Sequence, residues 1–205
     1  MSNFPIDRAT WQQGLSVEEF VGSMTQHQKP MQRRLQQVKL QLQEINQIQK
    51  LDRPLYLAVM TEDWCTDCLM VLPILVKIAE ASGKIEVRIF IRREWQSLRS
   101  FYQSQDIPSI PVATFLDEQF RPLVTWIERP RAAHQKLAEW KLAHPEVEQI
   151  RRRADLSSEE KRQMLKDVLD QLLVEMEEWY EQGLQSETVW EVLDLLGLNV
   201  VSGTP

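Results

Sequence analysis

Apolar residues recur in threes and fours along Met31, Leu35, Val38, Leu42, Ile45 and Ile48, which predicts one amphipathic helix with a glutamine-rich outer face after an interruption at Pro30. Ahead of it, Ser16 and Glu19 have capping-box spacing before Phe20, Val21 and Met24. Residues 1–53 thus read as a helical extension. The pattern then changes. Leu55 to Met60 is an unbroken apolar run, as expected of a strand covered on both faces. Leu69, Leu72, Leu75, Val76, Ile78 and Ala79 return to helical spacing, with a stop near Gly83 and a kink expected at Pro73. Lys84 to Ile91 alternates and then turns apolar, which predicts a second strand. Trp95, Leu98 and Tyr102 mark one face of a short helix, and the proline-rich segment Asp106–Pro111 suits neither period.

Val112–Leu116 and Leu123–Ile127 flank a polar turn and predict a hairpin, after which Pro130 is placed to open a helix at its first position. Residues 54–144 therefore carry a β-α-β-α-β-β-α order, with crossover strands parallel and the hairpin as an antiparallel edge. Pro145 marks the expected boundary of a C-terminal helical extension, 145–205, packed on the core as a single compact unit. Within it, Ser157 and Glu160 cap a long helix striped by Leu165, Val168, Leu169, Leu172 and Met176, ending at Gly183. A short helix then runs to Gly197, and only the last few residues read as disordered.

Among 205 residues, a hydrophobic content of 43% and a charged content of 26% are those of an ordinary globular protein. A net charge of −6, with Arg151-Arg152-Arg153 as an isolated cluster, argues against a nucleic-acid partner. No apolar stretch approaches the length of about 20 residues that spans a bilayer, so no membrane role is expected. Residues 1–10 include Asp7 and Arg8 and lack an apolar core, which reads as a cytoplasmic protein without a secretory leader.

Only two cysteines are present, Cys65 and Cys68, two residues apart between the first strand and its helix. In a reducing compartment such a pair points to redox chemistry or metal binding rather than a structural staple. A strand-to-helix junction puts Cys65 at a helix N-terminus, where free N–H groups and the dipole favour a thiolate. Cys65 is then the group that attacks a disulfide, and Cys68 the one that resolves the mixed disulfide. A zinc site needs four ligands, and His27, His134 and His144 supply no second pair at ligand spacing, so neither metal nor cofactor is expected. Two inert buried thiols are the remaining alternative.

The combination Trp64-Cys65-x-x-Cys68 after a buried strand, Pro73 in the helix, and Ile110-Pro111 directly before a strand resembles the thioredoxin superfamily over roughly residues 54–144. Thr61-Glu62-Asp63-Trp64-Cys65, Arg88-Ile89-Phe90, Ser109-Ile110-Pro111 and Arg129-Pro130, set between helical extensions, resemble a group of bacterial thioredoxin-like proteins. The resemblance implies a thioredoxin-like α/β fold, a central mixed sheet flanked by helices. It also implies a cis Ile110–Pro111 bond that opens the Ile110 backbone to a bound peptide strand, and Trp64 as a lid over the sulfur or a rim aromatic. The implied partners are disulfide-containing proteins or small-thiol substrates and an upstream reductant, with the chain a monomer or weak homodimer. An adaptor or redox sensor on the same scaffold is the rival reading.

The chain departs from the family in two places. Thr66-Asp67 replaces the usual Gly-Pro between the cysteines, and Val59 stands where many thioredoxins bury an aspartate that takes the proton of the resolving thiol. Asp67, or Asp63 through a water, is the expected substitute. Glu62, Asp63 and Asp67 together disfavour the thiolate, which points to a reductant rather than an oxidant, unless they face water and are screened. The family's opening β-α unit is expected to be replaced by the helices of residues 1–53.

Overall fold

The computed structural model describes residues 4–198; the tail expected to be disordered lies outside them. The N-terminal extension forms α1 (Arg8–Trp11), α2 (Val17–Ser23), α3 (Gln28–Gln37) and α4 (Leu42–Ile48). The Ser16/Glu19 capping box is present in both directions. The single helix expected after Pro30 is two helices. Pro30 is the third residue of α3, in the first turn, where backbone N–H groups have no helical acceptor and a proline costs no bond. The break comes instead at Val38, whose ψ of 122° leaves the helix, and Gln41 with Glu44 starts the next one. Met31, Arg34 and Val38 consequently face inward, while Leu42 is exposed.

Next come β1 (Leu55–Thr61), α5 (Thr66–Ser82), β2 (Ile85–Ile91), α6 (Gln96–Ser104), β3 (Val112–Leu116) and β4 (Pro122–Ile127), in the expected order. The sheet order is β2-β1-β3-β4. Parallel pairing holds for β1 and β2, with Val59 opposite Ile89, while β3 is antiparallel to β1 and β4 to β3. Segment 105–111 causes this reversal. It carries the chain back to the end of the sheet where β1 and β2 stop, so β3 starts there. This mixed α/β architecture is the thioredoxin-like fold expected from the resemblance.

The outer edge of β2 is covered by one residue of the N-terminal extension. Leu15 and Ile89 exchange both backbone hydrogen bonds, at 2.9 and 2.8 Å. Only glycine at position 14 permits that approach, because a Cβ there would lie 2.8 Å from the Phe90 ring and 3.0 Å from Arg88 Cβ. Ile6 and Trp11 enter a buried cluster with Ala58, Met60, Phe90, Leu98 and Tyr102, and both cysteines and Ile110 belong to it.

Tertiary contacts group the chain into two units, one up to Glu128 together with the residues from Ser186 onward, the other Arg129–Gln185. This grouping cuts the chain elsewhere than the expected boundaries at 53/54 and 144/145. Helix α10 (Gln185–Leu195) accounts for the difference at the C-terminus. Ser186 donates to the buried carboxylate of Glu44, Trp126 donates to Glu191, and Val189, Val192 and Leu193 are buried. The second unit holds α7 (Arg131–Ala143), α8 (Pro145–Arg152) and α9 (Ser158–Trp179). Pro130 is the cap of α7 rather than its first residue, and Pro145 opens α8 as its first residue. The Ser157/Glu160 box caps α9, whose buried positions are Leu165, Leu172 and Met176.

Candidate active site

Strand β1 delivers the chain at Thr61, and the turn Glu62-Asp63-Trp64 leads into Cys65, which occupies the cap position of α5. Caps are usually oxygen-bearing side chains that accept the N–H of the third helical residue. Here a sulfur does so: the N–H of Cys68 donates to Cys65 Sγ at 3.2 Å. The Cys65 thiol lies 3.6 Å from the Ile110 carbonyl, and the Ile110–Pro111 peptide is cis. Cys65, Cys68, Ile110 and Pro111 thus meet at one end of the sheet. Both cysteines are free thiols; Cys65 retains 8% exposure and Cys68 none. Burial, reinforced by the neighbouring Cys65, pushes the Cys68 thiol well above the ordinary thiol range. Cys65 is thus the less buried of the pair, and burial disfavours the thiolate of Cys68. Trp64 is half-exposed on the rim.

The three carboxylates near Cys65 do not face water. Glu62, Asp63 and Asp67 are each at most 8% exposed. Asp63 Oδ2 accepts the Thr25 N–H and the Thr25 hydroxyl, both at 2.9 Å, and the Gln26 N–H at 3.3 Å. Glu62 accepts the Arg93 N–H at 2.7 Å and also pairs with the Arg93 guanidinium, which reaches Asp63 Oδ1 at 3.5 Å. Burial alone would raise the Asp63 carboxyl; the donors from Thr25 and Gln26, with Arg93, outweigh it and hold the group below the usual carboxylate range. Two of the three charges are thereby compensated by a cation, and Asp63 is committed to residues 25, 26 and 93 rather than to the cysteines. Asp67 is the second residue of α5 and is buried there.

On the far side of the dithiol, Pro73 sits inside α5 and has no N–H for the Leu69 carbonyl four residues earlier. Arg34 of α3 supplies a donor in its place and a second one to the next carbonyl. Its Nε reaches the Leu69 carbonyl at 3.2 Å and an Nη reaches that of Met70 at 3.3 Å, all of it buried. A buried cation normally demands strong compensation. The Leu69 carbonyl, left open by the proline, and the Met70 carbonyl beside it provide part of it.

The sequence alone gives no role to Thr25, Arg34, Thr61 or Arg93. Arg34 was detectable, since it falls on the inward stripe with Met31 and Val38 where an apolar residue is expected. Thr61 was visible as the one polar residue closing the apolar run of β1. Thr25 and Arg93 carry no local signal. Val59, where the resemblance expects a buried acid, is fully buried. Among the described residues, no group of three or more His, Cys, Asp and Glu side chains is placed to hold a metal ion. Nor is any helix long and apolar enough to cross a membrane.

The thioredoxin family model matches residues 14–141. A protein of unknown function from Pseudomonas aeruginosa is similar in structure, with a TM-score of 0.63 at 20% identity, covering 94% of this chain and 98% of that one. An HIV epitope-scaffold is similar too, with a TM-score of 0.61 at 21% identity and coverage of 94% and 98%. No curated protein sequence matches the chain. At such identities the structural likeness speaks for the fold alone, whereas the family match takes in the cysteine pair, Pro73, the cis-proline loop and more than half of the chain. The chain belongs to the thioredoxin family.

Proposed function

We propose that the protein is a thiol–disulfide oxidoreductase that exchanges dithiol for disulfide through Cys65 and Cys68 and works chiefly as a reductant. The observation that carries this reading is the asymmetry of the pair: a Cys65 that keeps slight exposure, caps a helix and receives the Cys68 N–H on its sulfur, beside a Cys68 thiol sealed in the core. Cys65 Sγ attacks a substrate disulfide and one substrate thiolate leaves. Cys68 then attacks Cys65 Sγ, the second substrate thiolate leaves with the Cys68 proton, and the protein is left with a Cys65–Cys68 disulfide. The Ile110 backbone beside Cys65 pairs with the extended segment of a protein substrate, and Trp64 lines the approach. Electrons return from an upstream thiol reductant in the cytoplasm, and the working form is a monomer or weak homodimer.

Insulin reduction driven by dithiothreitol tests the activity. Turnover that disappears in Cys65→Ser, with mixed disulfides accumulating through Cys65 in Cys68→Ser, supports the assignment; equal trapping by both variants contradicts it. A redox sensor or adaptor with little turnover is the second reading, favoured by the low exposure of Cys65. It predicts slow insulin reduction together with oxidation-dependent capture of a partner.

A further inference from the structure

Burying a hydroxyl without a partner is costly, and such a group in a folded protein calls for an explanation. Thr61 is one. It is the last residue of β1, it is 0% exposed, and its Oγ1 has no hydrogen-bond partner within ordinary range among the described residues. Side chains alternate across a strand, so Thr61 projects from the same face of β1 as Val59, two residues nearer the cysteines. Cys68 is equally buried, and the Thr61 hydroxyl and the Glu62 N–H are the groups beside it that counteract the effect of burial on its thiol. No formed hydrogen bond joins the Thr61 hydroxyl to that sulfur in the dithiol, which a neutral thiol, a poor acceptor, allows.

We infer that Thr61 is a hydrogen-bond donor held in reserve for the Cys68 sulfur, idle in the dithiol and engaged when that sulfur becomes negative during resolution of the mixed disulfide. The inference rests on the proposed dithiol chemistry and adds a residue to its second step. In that step the Cys68 S–H bond breaks, its proton going to the departing substrate thiolate. The Cys68–Cys65 S–S bond forms as the Cys65–substrate S–S bond breaks. Negative charge on Cys68 develops inside the core, where a fixed donor is worth more than in water. A hydroxyl has no accessible charged form and moves no net proton here. It supports the thiolate, whereas an aspartate at position 59 would accept the proton.

The test separates the two steps with one equivalent of dithiobis(nitrobenzoate), a disulfide that releases a coloured thiolate at each. Attack by Cys65 releases the first equivalent, and attack by Cys68 releases the second as the protein disulfide closes. In Thr61→Val, which keeps the shape and removes the hydroxyl, the first phase keeps its wild-type rate. The second slows about tenfold or more, the usual scale for losing one hydrogen bond to a charged group. Thr61→Ser restores it. If Thr61→Val does not fold, Thr61→Ser and Thr61→Ala make the same comparison, differing only in the hydroxyl. Wild-type rates in both phases without the hydroxyl, or a Ser variant as slow as its hydroxyl-free counterpart, overturn the role of Thr61 and leave the dithiol reading intact. A wild-type protein that yields no second equivalent overturns the dithiol reading itself, and the role of Thr61 with it.

Discussion

The Arg34–Pro73 arrangement makes a quantitative prediction, because one residue removes a hydrogen bond that the other replaces. In Arg34→Met the aliphatic stem is kept and the guanidinium lost, so the carbonyls of Leu69 and Met70 lose donors at 3.2 and 3.3 Å in a buried setting. The Leu69 carbonyl, left without any donor, costs about 1–3 kcal/mol, and losing the second donor at Met70 adds about 1 kcal/mol. Arg34 makes further contacts, whose loss adds to the total; a cycle with Pro73→Ala removes that ambiguity. With alanine at 73, the backbone N–H returns and bonds the Leu69 carbonyl within the helix. The cost of Arg34→Met in that background should fall by about 1–2 kcal/mol, the worth of one carbonyl already satisfied. Urea denaturation of the four proteins reads this directly. At a denaturant slope of about 2 kcal/mol/M, a loss of 3 kcal/mol moves the midpoint by about 1.5 M. Arg34→Met costs that agree within about 0.5 kcal/mol in the two backgrounds would refute the idea that the arginine serves the carbonyl opened by the proline.

Three further outcomes follow from the geometry. Gly14→Ala forces a methyl to within 2.8 Å of the Phe90 ring, so it should destabilise by about 1–3 kcal/mol as overpacking does and raise hydrogen exchange at Ile89, whose N–H bonds Leu15. Because the folded-state pKa of Asp63 is depressed, its stabilisation is present above the unfolded carboxyl value of about 3.9 and is lost as pH falls through the folded value. Asp63→Asn should therefore shrink the difference between urea midpoints at neutral and strongly acid pH, and an unchanged difference would show that another group controls the acid limb. Alkylation of the reduced protein with iodoacetamide, followed by peptide mass spectrometry, should label Cys65 long before Cys68; equal labelling would contradict the burial of the second thiol.

The parts of the fold that were legible in the sequence are those governed by local period and punctuation. The runs 55–60, 84–91 and 112–116, the stop at Gly83 and the boxes at Ser16 and Ser157 all act within a few residues, and the elements formed there. Elements were misjudged where the same local signal has two meanings. Pro30 can break a helix or sit in its first turn; which occurs depends on what the neighbouring residues bury. In the site, the cysteine pair and Ile110-Pro111 announce themselves by residue type and spacing. The fate of the carboxylates does not. Whether Glu62 and Asp63 repel a thiolate or are compensated depends on Arg93 and Thr25, some 30 and 38 residues away in sequence, and only the folded chain brings those together.

The N-terminal extension is the clearest instance of meaning supplied by the fold. In sequence it is a set of glutamine-rich helices ahead of a recognisable redox core. In space it holds the reactive turn from both sides. Thr25 and Gln26, between α2 and α3, grip Asp63 two residues before Cys65, and Arg34 of α3 grips Leu69 and Met70 just after Cys68. The five residues between these anchors, 64–68, include both sulfurs and the helix cap. Thiol exchange requires Cys68 to reach Cys65 Sγ along the S–S axis, and reactions of this kind lose rate steeply when the partners are displaced by as little as 1 Å. A turn fixed only by its own helix would rely on the first turn of α5, the part of a helix that frays most readily. The extension adds hydrogen bonds at both ends of that turn, partly buried ones to a carboxylate on one side and buried ones from a guanidinium on the other. Residues 25–34 therefore belong to the active-site scaffold, and substitutions there should alter the rate of disulfide resolution before they alter the fold of the sheet.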